Sequence, residues 1–418
     1  MESRVEDIVI VGAGIAGLAA SLGLHRLGVR SLVLESSDTL RTSGFSLTLW
    51  TNAWKALDVL GVGHILRQQH LQLVENVTTS LITGQQTSTT AFTNAMGKHG
   101  VHEVRRVRRQ LLLEALANEL PSGTIKYSSK VVAVEESSFT KLIHLVDGTI
   151  IRTKVLIGCD GVNSIVAKWL GLNKAAFSGR FGIRGCITLK NSHKLEPKFM
   201  QFFGKGYRNG VLPCDDKTVH WFFTWNPTDQ EKKLEENPGQ MKQFVLEKLE
   251  NMPSDIRAFI ENTDLDHFLS SPLRYRHPWE LVFGNINKSN VCVAGDAFHP
   301  MTPDLGQGGC CALEDGVVLA RCLGEVFSIK SSGYIREKNN EEEEEEEQYK
   351  KIEMSLKKYA SERRWRCIII IFAAYMTGVI QQGHSKLVSF FRDKFFTPIL
   401  AGFLLKASDF DCGKLRNS

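Results

Sequence analysis

Gly12-Ala13-Gly14-Ile15-Ala16-Gly17 constrains this chain more than any other stretch. A continuous apolar run, Ile8 to Val11, precedes it and reads as a buried parallel strand. Leu18 to Leu27 follows with helical character and ends at Gly28, and Ser31 to Leu34 is a second buried strand closed by Glu35. Strand, glycine turn, helix, strand is a βαβ unit. In that setting the first glycine permits the tight turn. The second lets the backbone approach a pyrophosphate, and the third lets helix and strand pack closely. The helix N-terminus offers free N–H groups to the phosphate charge. Gly12, Gly14, Ala16 and Gly17 are therefore candidate cofactor-binding positions. Glu35 lies 18 residues beyond Gly17, where a carboxylate accepts hydrogen bonds from a ribose and repels a 2′-phosphate. The nucleotide expected is FAD or NAD, not NADP; the alternative is a glycine turn with no ligand.

A second segment, Val291 to Pro300 continuing to Pro303 and Gly306-Gln307-Gly308-Gly309, separates FAD from NAD. Asp296 stands at the carboxyl end of a buried strand, where α/β folds bind ligands. An acid there receives hydrogen bonds from a polyol. The glycine-rich turn then opens a helix, expected over about Ala312 to Val326, whose N-terminus suits a flat ligand that gains negative charge. A flavin has both a ribityl chain and a ring that becomes anionic on reduction. The alternative is a tight turn with a capping aspartate.

With these motifs in order, the chain resembles the flavoprotein monooxygenases related to para-hydroxybenzoate hydroxylase, and among them the plant enzymes similar to zeaxanthin epoxidase and salicylate hydroxylase. The resemblance rests on the first glycine motif with Glu35, on Asp160-Gly161 ending at Ser164, and on Gly295-Asp296 with Gly-Gln-Gly; it spans residue 6 to about 326. A weaker match, Tyr359-x-x-x-Arg363-x-x-Arg366, extends it. The resemblance implies that Asp296 holds the ribityl chain. It also implies that an arginine before the helical Leu111–Leu116 segment contacts FAD, Arg109 fitting best and Arg108 being the alternative. Asp160 would support the pyrophosphate region and the pyridine nucleotide. Read alone, Asp160-Gly161 is an ordinary turn, and Arg105, Arg106, Arg108 and Arg109 are a solvated basic patch. Pro303, Gly306, Gln307, Gly308 and Gly309 complete the expected cofactor set. Two positions depart from the pattern: Ala167, followed by Lys168, replaces an arginine that bears on the nicotinamide donor, and Cys310 replaces an asparagine.

The implied chemistry is reduction of FAD by NAD(P)H, reaction of reduced flavin with O2 to a hydroperoxide, and oxygen transfer to a small aromatic or isoprenoid substrate. The cofactor does the hard chemistry while the protein orients it and keeps water out. Trp221, Phe223 and Trp225 alternate along one strand and read as sheet core, the alternative being a pocket wall. Arg184 faces either the flavin or the surface. His299 reads as packing beside the flavin motif rather than as a base.

The fold expected is α/β: a Rossmann-like FAD-binding domain (1–75, 103–180, 285–330), a second, mainly antiparallel β substrate domain (76–102, 181–284), and C-terminal helices (351–418). Residues 103–120 read as a helix, and 331–350, with seven glutamates from Glu341 to Glu347, as an acidic low-complexity loop, the alternative being an exposed helix start. The apolar run 367–380 falls short of the ~20 residues that span a bilayer. It reads as a docked helical segment, with membrane-surface contact the minority alternative. A net charge of +5, with acids and bases mixed along the chain, excludes a nucleic-acid footprint. The nine cysteines form no CxxC pair and no zinc spacing. They fit a reducing compartment, and with the strand beginning so near Met1 a cytoplasmic location is expected. The competing readings are a flavin-dependent reductase, oxidase or halogenase, and a non-enzymatic binding protein on a flavoprotein-like fold.

Overall fold

The computed structural model describes residues 5–41, 44–93, 95–232, 237–327, 341–383 and 397–415. Its first sheet is built on the apolar run, which becomes the strand Val5–Val11, exposed at its start and buried at its end. In space the parallel strands run Ile125–Lys126, Leu32–Leu34, Val5–Val11, Ile150–Gly158, Val291–Val293. On the edge away from Val5–Val11, the first half of Ile150–Gly158 pairs antiparallel with Thr140–Leu145, which pairs antiparallel with Val131–Ser137. This order matters for function because ligands of parallel α/β sheets bind at the carboxyl ends of the strands. Four neighbouring strand ends run directly into Gly12, Glu35, Asp160 and Asp296.

The helix Ile15–Arg26 packs on the helix Gly308–Phe327 at very close range. A Cβ added to Gly316 would lie 2.5 Å from Ala19 Cβ, and one on Gly23 would lie 2.6 Å from Ala320 Cβ. Small residues thus set the approach that brings the two cofactor motifs together. The second helix begins at Gly308 rather than near Ala312, because the glycines of the turn are themselves its first turn.

The second sheet has seven strands in the order Phe268–Tyr275, Ala176–Thr188, Thr218–Trp225, Tyr207–Pro213, Lys198–Phe203, Glu75–Ser80, Gln86–Ala91. All pairs are antiparallel except Lys198–Phe203 with Glu75–Ser80. The helices Pro238–Lys248 and Ser254–Glu261 cover one face, burying Trp221, Phe223 and Trp225 against Met241, Val245, Ile256 and Ile260. The alternating aromatics are therefore sheet core.

Two expectations are corrected. Residues 103–120 are not one helix: Arg105–Arg108 is a strand paired with Ser46–Leu49, and the helix is Arg109–Ala117. The acidic stretch is not a loop throughout, for a single helix runs from Glu341 to Gln381; residues 331–340 lie outside the described part. Lysines one turn on relieve the acid repulsion, Lys350 with Glu346 at 2.6 Å and Lys351 with Glu347 at 2.6 Å. The apolar run is the far end of this helix. One face is buried through Cys367, Ile370, Ile371 and Ala374, while Trp365, Ile369 and Phe372 are exposed.

Candidate active site

The first glycine turn divides its work as the motif demands. Gly12 has φ +100°, and a Cβ there would lie 2.5 Å from Cys159 O; one at Gly17 would lie 2.0 Å from Gly12 O. Gly14 has nothing within 4 Å of where a Cβ would stand. It precedes the helix Ile15–Arg26 without capping it through a side chain, so N–H groups of the first turn face open space. Glu35 is buried and accepts from Ala13 N at 2.9 Å and Ser37 N at 2.9 Å, fixing the acid beside the turn. Asp160 accepts from Ser164 Oγ at 2.5 Å and Ile165 N at 2.7 Å. Its carboxylate thus holds the start of the helix Ile165–Trp169, and burial raises its pKa against those bonds. Of the departing positions, Ala167 is buried beneath this helix and Lys168 is exposed.

The second motif meets the first directly. Gly295, at φ +58°, leaves room for Ala16: a Cβ on it would lie 2.8 Å from Ala16 Cβ. Arg109 lies in the field of both acids. Burial lowers its pKa, while Asp296 and more weakly Glu35 pull it up, and its Nη1 donates to Arg41 O at 2.6 Å. Arg108 points away toward Asp215, 3.8 Å distant. Asp296 is open to solvent from the groove yet hemmed in by protein on every other side. That confinement raises its pKa against the pull of His299, Arg109 and Arg184. Beyond it, Pro303–Leu305 forms a single 3-10 turn and Gly306 takes φ +62°. Gly309 is glycine because a Cβ would lie 2.5 Å from Leu47 Cδ1. Gln307 is buried and receives Asn52 Nδ2 at 2.9 Å. Its Nε2, Thr302 Oγ1 and Trp50 Nε1 are buried and without partners among the described residues. Cys310 tucks its thiol under Thr48 O at 3.7 Å, and burial pushes its pKa to about 12.

A cavity of about 260 Å³ opens from this loop to the second sheet. Asp296, Pro303, Gly306, Gly308 and Gly309 line its near side. Gly12, Gly14, Ala16, Gly17, Glu35, Arg109, Asp160 and Gln307 do not line it; most of these gather at the strand ends beside it. The far side includes Arg106, Arg184, Gln201, Arg208, His220 and Phe222. Arg184 thus faces the cavity. Arg106 is no member of a solvated patch: it is buried and donates to Ser46 Oγ at 2.8 Å, Ser46 O at 2.8 Å and Thr48 Oγ1 at 2.9 Å. Sequence reasoning missed Arg208 and His220. The available signal was the strand's two-residue period: the aromatics of 221, 223 and 225 face the helices, which turns 220, 222 and 224 to the cavity.

Behind the loop stands a buried ionic network. Asp315 accepts from Gly295 N at 2.8 Å and His299 Nε2 at 2.6 Å, and from Arg363 Nε at 2.7 Å. Glu314 takes Arg363 Nη1 at 2.5 Å, Arg366 Nε at 2.7 Å and Asn52 Nδ2 at 2.5 Å. His299, Asp315 and Cys367 lie close enough to suggest a metal cluster, but the cation among them is the Arg363 guanidinium. Tyr359 completes the brace, donating to Val293 O at 3.0 Å. At the opposite corner Asp304 is gripped by Arg180 through bonds of 2.9 and 2.8 Å, tying the loop to the second sheet.

A family model described as an FAD binding domain matches residues 6–334. Monooxygenase 2 of Arabidopsis thaliana is 52% identical over 414 residues, covering 99% of each chain. Monooxygenase 1 of the same plant is 34% identical over 417 residues, covering 98% of this chain and 99% of the other. Among solved structures, Klebsiella pneumoniae HpxO complexed with FAD and uric acid superposes with a TM-score of 0.79 at 20% identity, covering 98% of both chains.

Proposed function

The chain belongs to the FAD-binding-domain family and is an FAD-dependent monooxygenase, and from that premise we propose that it consumes NADH or NADPH and O2 to hydroxylate or epoxidise a small aromatic or isoprenoid substrate. The observation that carries this reading is the shared cavity. Asp296 and the Gly306–Gly309 turn open on one side of it and a partly aromatic sheet face on the other, so a ring bound to the loop and a ring bound to the sheet would face each other.

The residues present fit the cofactor. Gly12, Gly14, Ala16 and Gly17 would receive the pyrophosphate, Glu35 the adenosine ribose, and Arg109 and Asp160 the region between. Asp296 would receive the ribityl hydroxyls. Pro303, Gly306, Gln307, Gly308 and Gly309 would border the ring, beside the buried, unpartnered Thr302 Oγ1 and Trp50 Nε1 of the same cavity. When bound, FAD supplies electron storage and oxygen activation that no side chain offers. The chain's own share is orientation and dryness. The 3-10 turn and the sheet enclose the cavity, and Asp304 with Arg180 keeps those two walls together. HpxO carries uric acid on the same fold, which supports a flat heteroatom-bearing ring as the kind of molecule accommodated. All nine cysteines are free thiols, which supports the proposed cytoplasmic setting.

The test is substrate-stimulated NAD(P)H oxidation under labelled O2, with peroxide measured alongside. One labelled oxygen atom in the product is expected. Consumption of NAD(P)H that yields only peroxide across phenolic and isoprenoid panels would instead mark an oxidase or reductase.

A further inference from the structure

The far wall of the cavity holds more cationic groups than acids to meet them. Arg208 is matched by Asp304, 3.8 Å away, which Arg180 also holds. Arg184 has Asp296, the acid of the cofactor loop, as its opposing charge. Arg106 is held only by neutral oxygens, those of Ser46 and Thr48, and has no carboxylate within ion-pair distance among the described residues. His220 is fully buried on the same wall, and neither ring nitrogen has a hydrogen-bond partner among the described residues. Leaving a buried polar group unpaired is costly. A buried cation with no counter-charge beside an imidazole with no hydrogen-bond partner, both set on a cavity, marks where a ligand's own polar atoms belong.

Resting on the monooxygenase reading above, we propose that Arg106 and His220 form a substrate subsite for a planar ring that binds as an anion and carries an N–H or O–H beside its charged group, and that this subsite rejects a neutral isoprenoid. The charged oxygen meets Arg106, and the neighbouring N–H or O–H donates to the unprotonated nitrogen of His220. Burial first, then Arg106 and Arg184, hold His220 well below its usual pKa, so the imidazole is neutral and one nitrogen is free to accept. Phe199 and Phe222, set edge to face at 6.2 Å, offer flat apolar surface to the ring itself. A hydrocarbon in the same place would leave the Arg106 charge and the His220 nitrogen unanswered. Sites built to bond a polar substrate discriminate against analogues lacking the group by up to about 10⁴–10⁵.

The experiment titrates the oxidised holoenzyme with 2-hydroxybenzoate, urate, methyl 2-hydroxybenzoate and β-ionone while the visible spectrum of bound FAD is followed. At least one of the two anion-forming rings is expected to perturb the spectrum with a Kd at least about tenfold below that of the ester, a gap of about 1.4 kcal/mol. β-Ionone is expected to give no perturbation. Arg106→Gln and His220→Phe should each raise the anion's Kd about tenfold or more and leave the ester's within about twofold. Arg106→Lys should recover part of the loss. Equal or tighter binding of ester or β-ionone, silence from both anions, or an unmoved anion Kd in Arg106→Gln overturns the proposal. The wild-type comparison stands even where a variant loses its flavin. Binding is read without turnover, so anion binding with no oxygen incorporation defeats the monooxygenase reading and leaves this subsite standing.

Discussion

Arg363 Nε lies 2.7 Å from Asp315 Oδ1, with both side chains wholly buried. The pair joins the long C-terminal helix to the cofactor loop, because the other oxygen of Asp315 holds Gly295 N and His299. Removing the arginine takes a buried counter-charge from two buried carboxylates, leaving Glu314 to Arg366 and Asn52 and Asp315 to His299 and Gly295 N. Breaking a buried pair this way costs about 3–5 kcal/mol. Arg363→Met should therefore lower unfolding free energy by about that much and weaken FAD retention, although Arg363 lines neither the cavity nor the glycine turn. Urea unfolding and flavin content on purification measure the two effects; a variant as stable as wild type would show that the brace carries no strain-bearing role.

The same network fixes the sign of the acid response. Burial alone would raise Asp315 and Glu314. His299 and Arg363 outweigh it for Asp315, and Arg366 and Arg363 for Glu314, so both carboxyls sit below their ordinary values. A carboxyl lowered by folding contributes stability above its unfolded pKa, about 3.9 for Asp and 4.3 for Glu. That contribution is lost as pH falls through the lowered folded values. Wild type should thus lose stability steeply below about pH 4, and Arg363→Met should show a shallower slope there. Melting temperature against pH for both proteins checks this.

Asp296 has the opposite sign. Its confinement raises the pKa of its carboxyl, so the charged form burdens the flavin-free protein at neutral pH. Asp296→Asn should leave the melting temperature of the apoprotein at pH 7.5 equal or higher while cutting FAD affinity about tenfold or more, the loss of a charge-assisted bond to a hydroxyl. Fluorescence titration with FAD and apoprotein melting give the two numbers. A variant that loses stability and keeps its flavin would refute the assignment.

The cofactor half of the site was legible because its signals are local. Glycine spacing, strand ends and the acid after the second strand all lie within short windows, and each role follows from backbone geometry. The substrate half was not. Arg106, Arg184, Arg208 and His220 come from four strands that meet only in the fold. The strand Thr218–Trp225 is nearly all buried, so its pattern does not say which parity faces the cavity; the covering helices decide that. The run Arg105–Arg108 hid a strand because three arginines and one valine suit a helix surface as well as an edge. The glutamate run left loop and helix start both open because its relief comes from lysines one turn later.

The glycines of the first turn separate ligand binding from folding. Gly14 has φ −79° and open space around a would-be Cβ, so Gly14→Ala should shift apoprotein stability by no more than about 0.5 kcal/mol. The methyl would occupy the side from which a pyrophosphate approaches, and FAD affinity should fall about tenfold or more. Gly17→Ala should fail differently, because its Cβ would stand 2.0 Å from Gly12 O and must push helix from strand. Comparing apoprotein melting and FAD titration in the two variants tests the division; equal effects on both readouts would undo it.

Gly378 offers the most distant test. It lies on the long helix, and a Cβ there would come 1.8 Å from Arg180 Nη1. An arginine end is normally free to swing aside, but this one is 2% exposed and bound twice to Asp304. It has no other buried acid to accept it among the described residues. Gly378→Ala must therefore either displace the helix or break the Arg180–Asp304 pair, at a cost of about 1–3 kcal/mol for overpacking and more if the pair opens. Asp304 belongs to the turn that borders the cavity, so the damage should reach the site: flavin retained but, on the NAD(P)H-consuming reading proposed above, the coupling of NAD(P)H oxidation to oxygen incorporation reduced in favour of peroxide. Asp304→Asn should reproduce that uncoupling without touching the helix. If Gly378→Ala couples as well as wild type while Asp304→Asn does not, the helix is not what holds Arg180 in place.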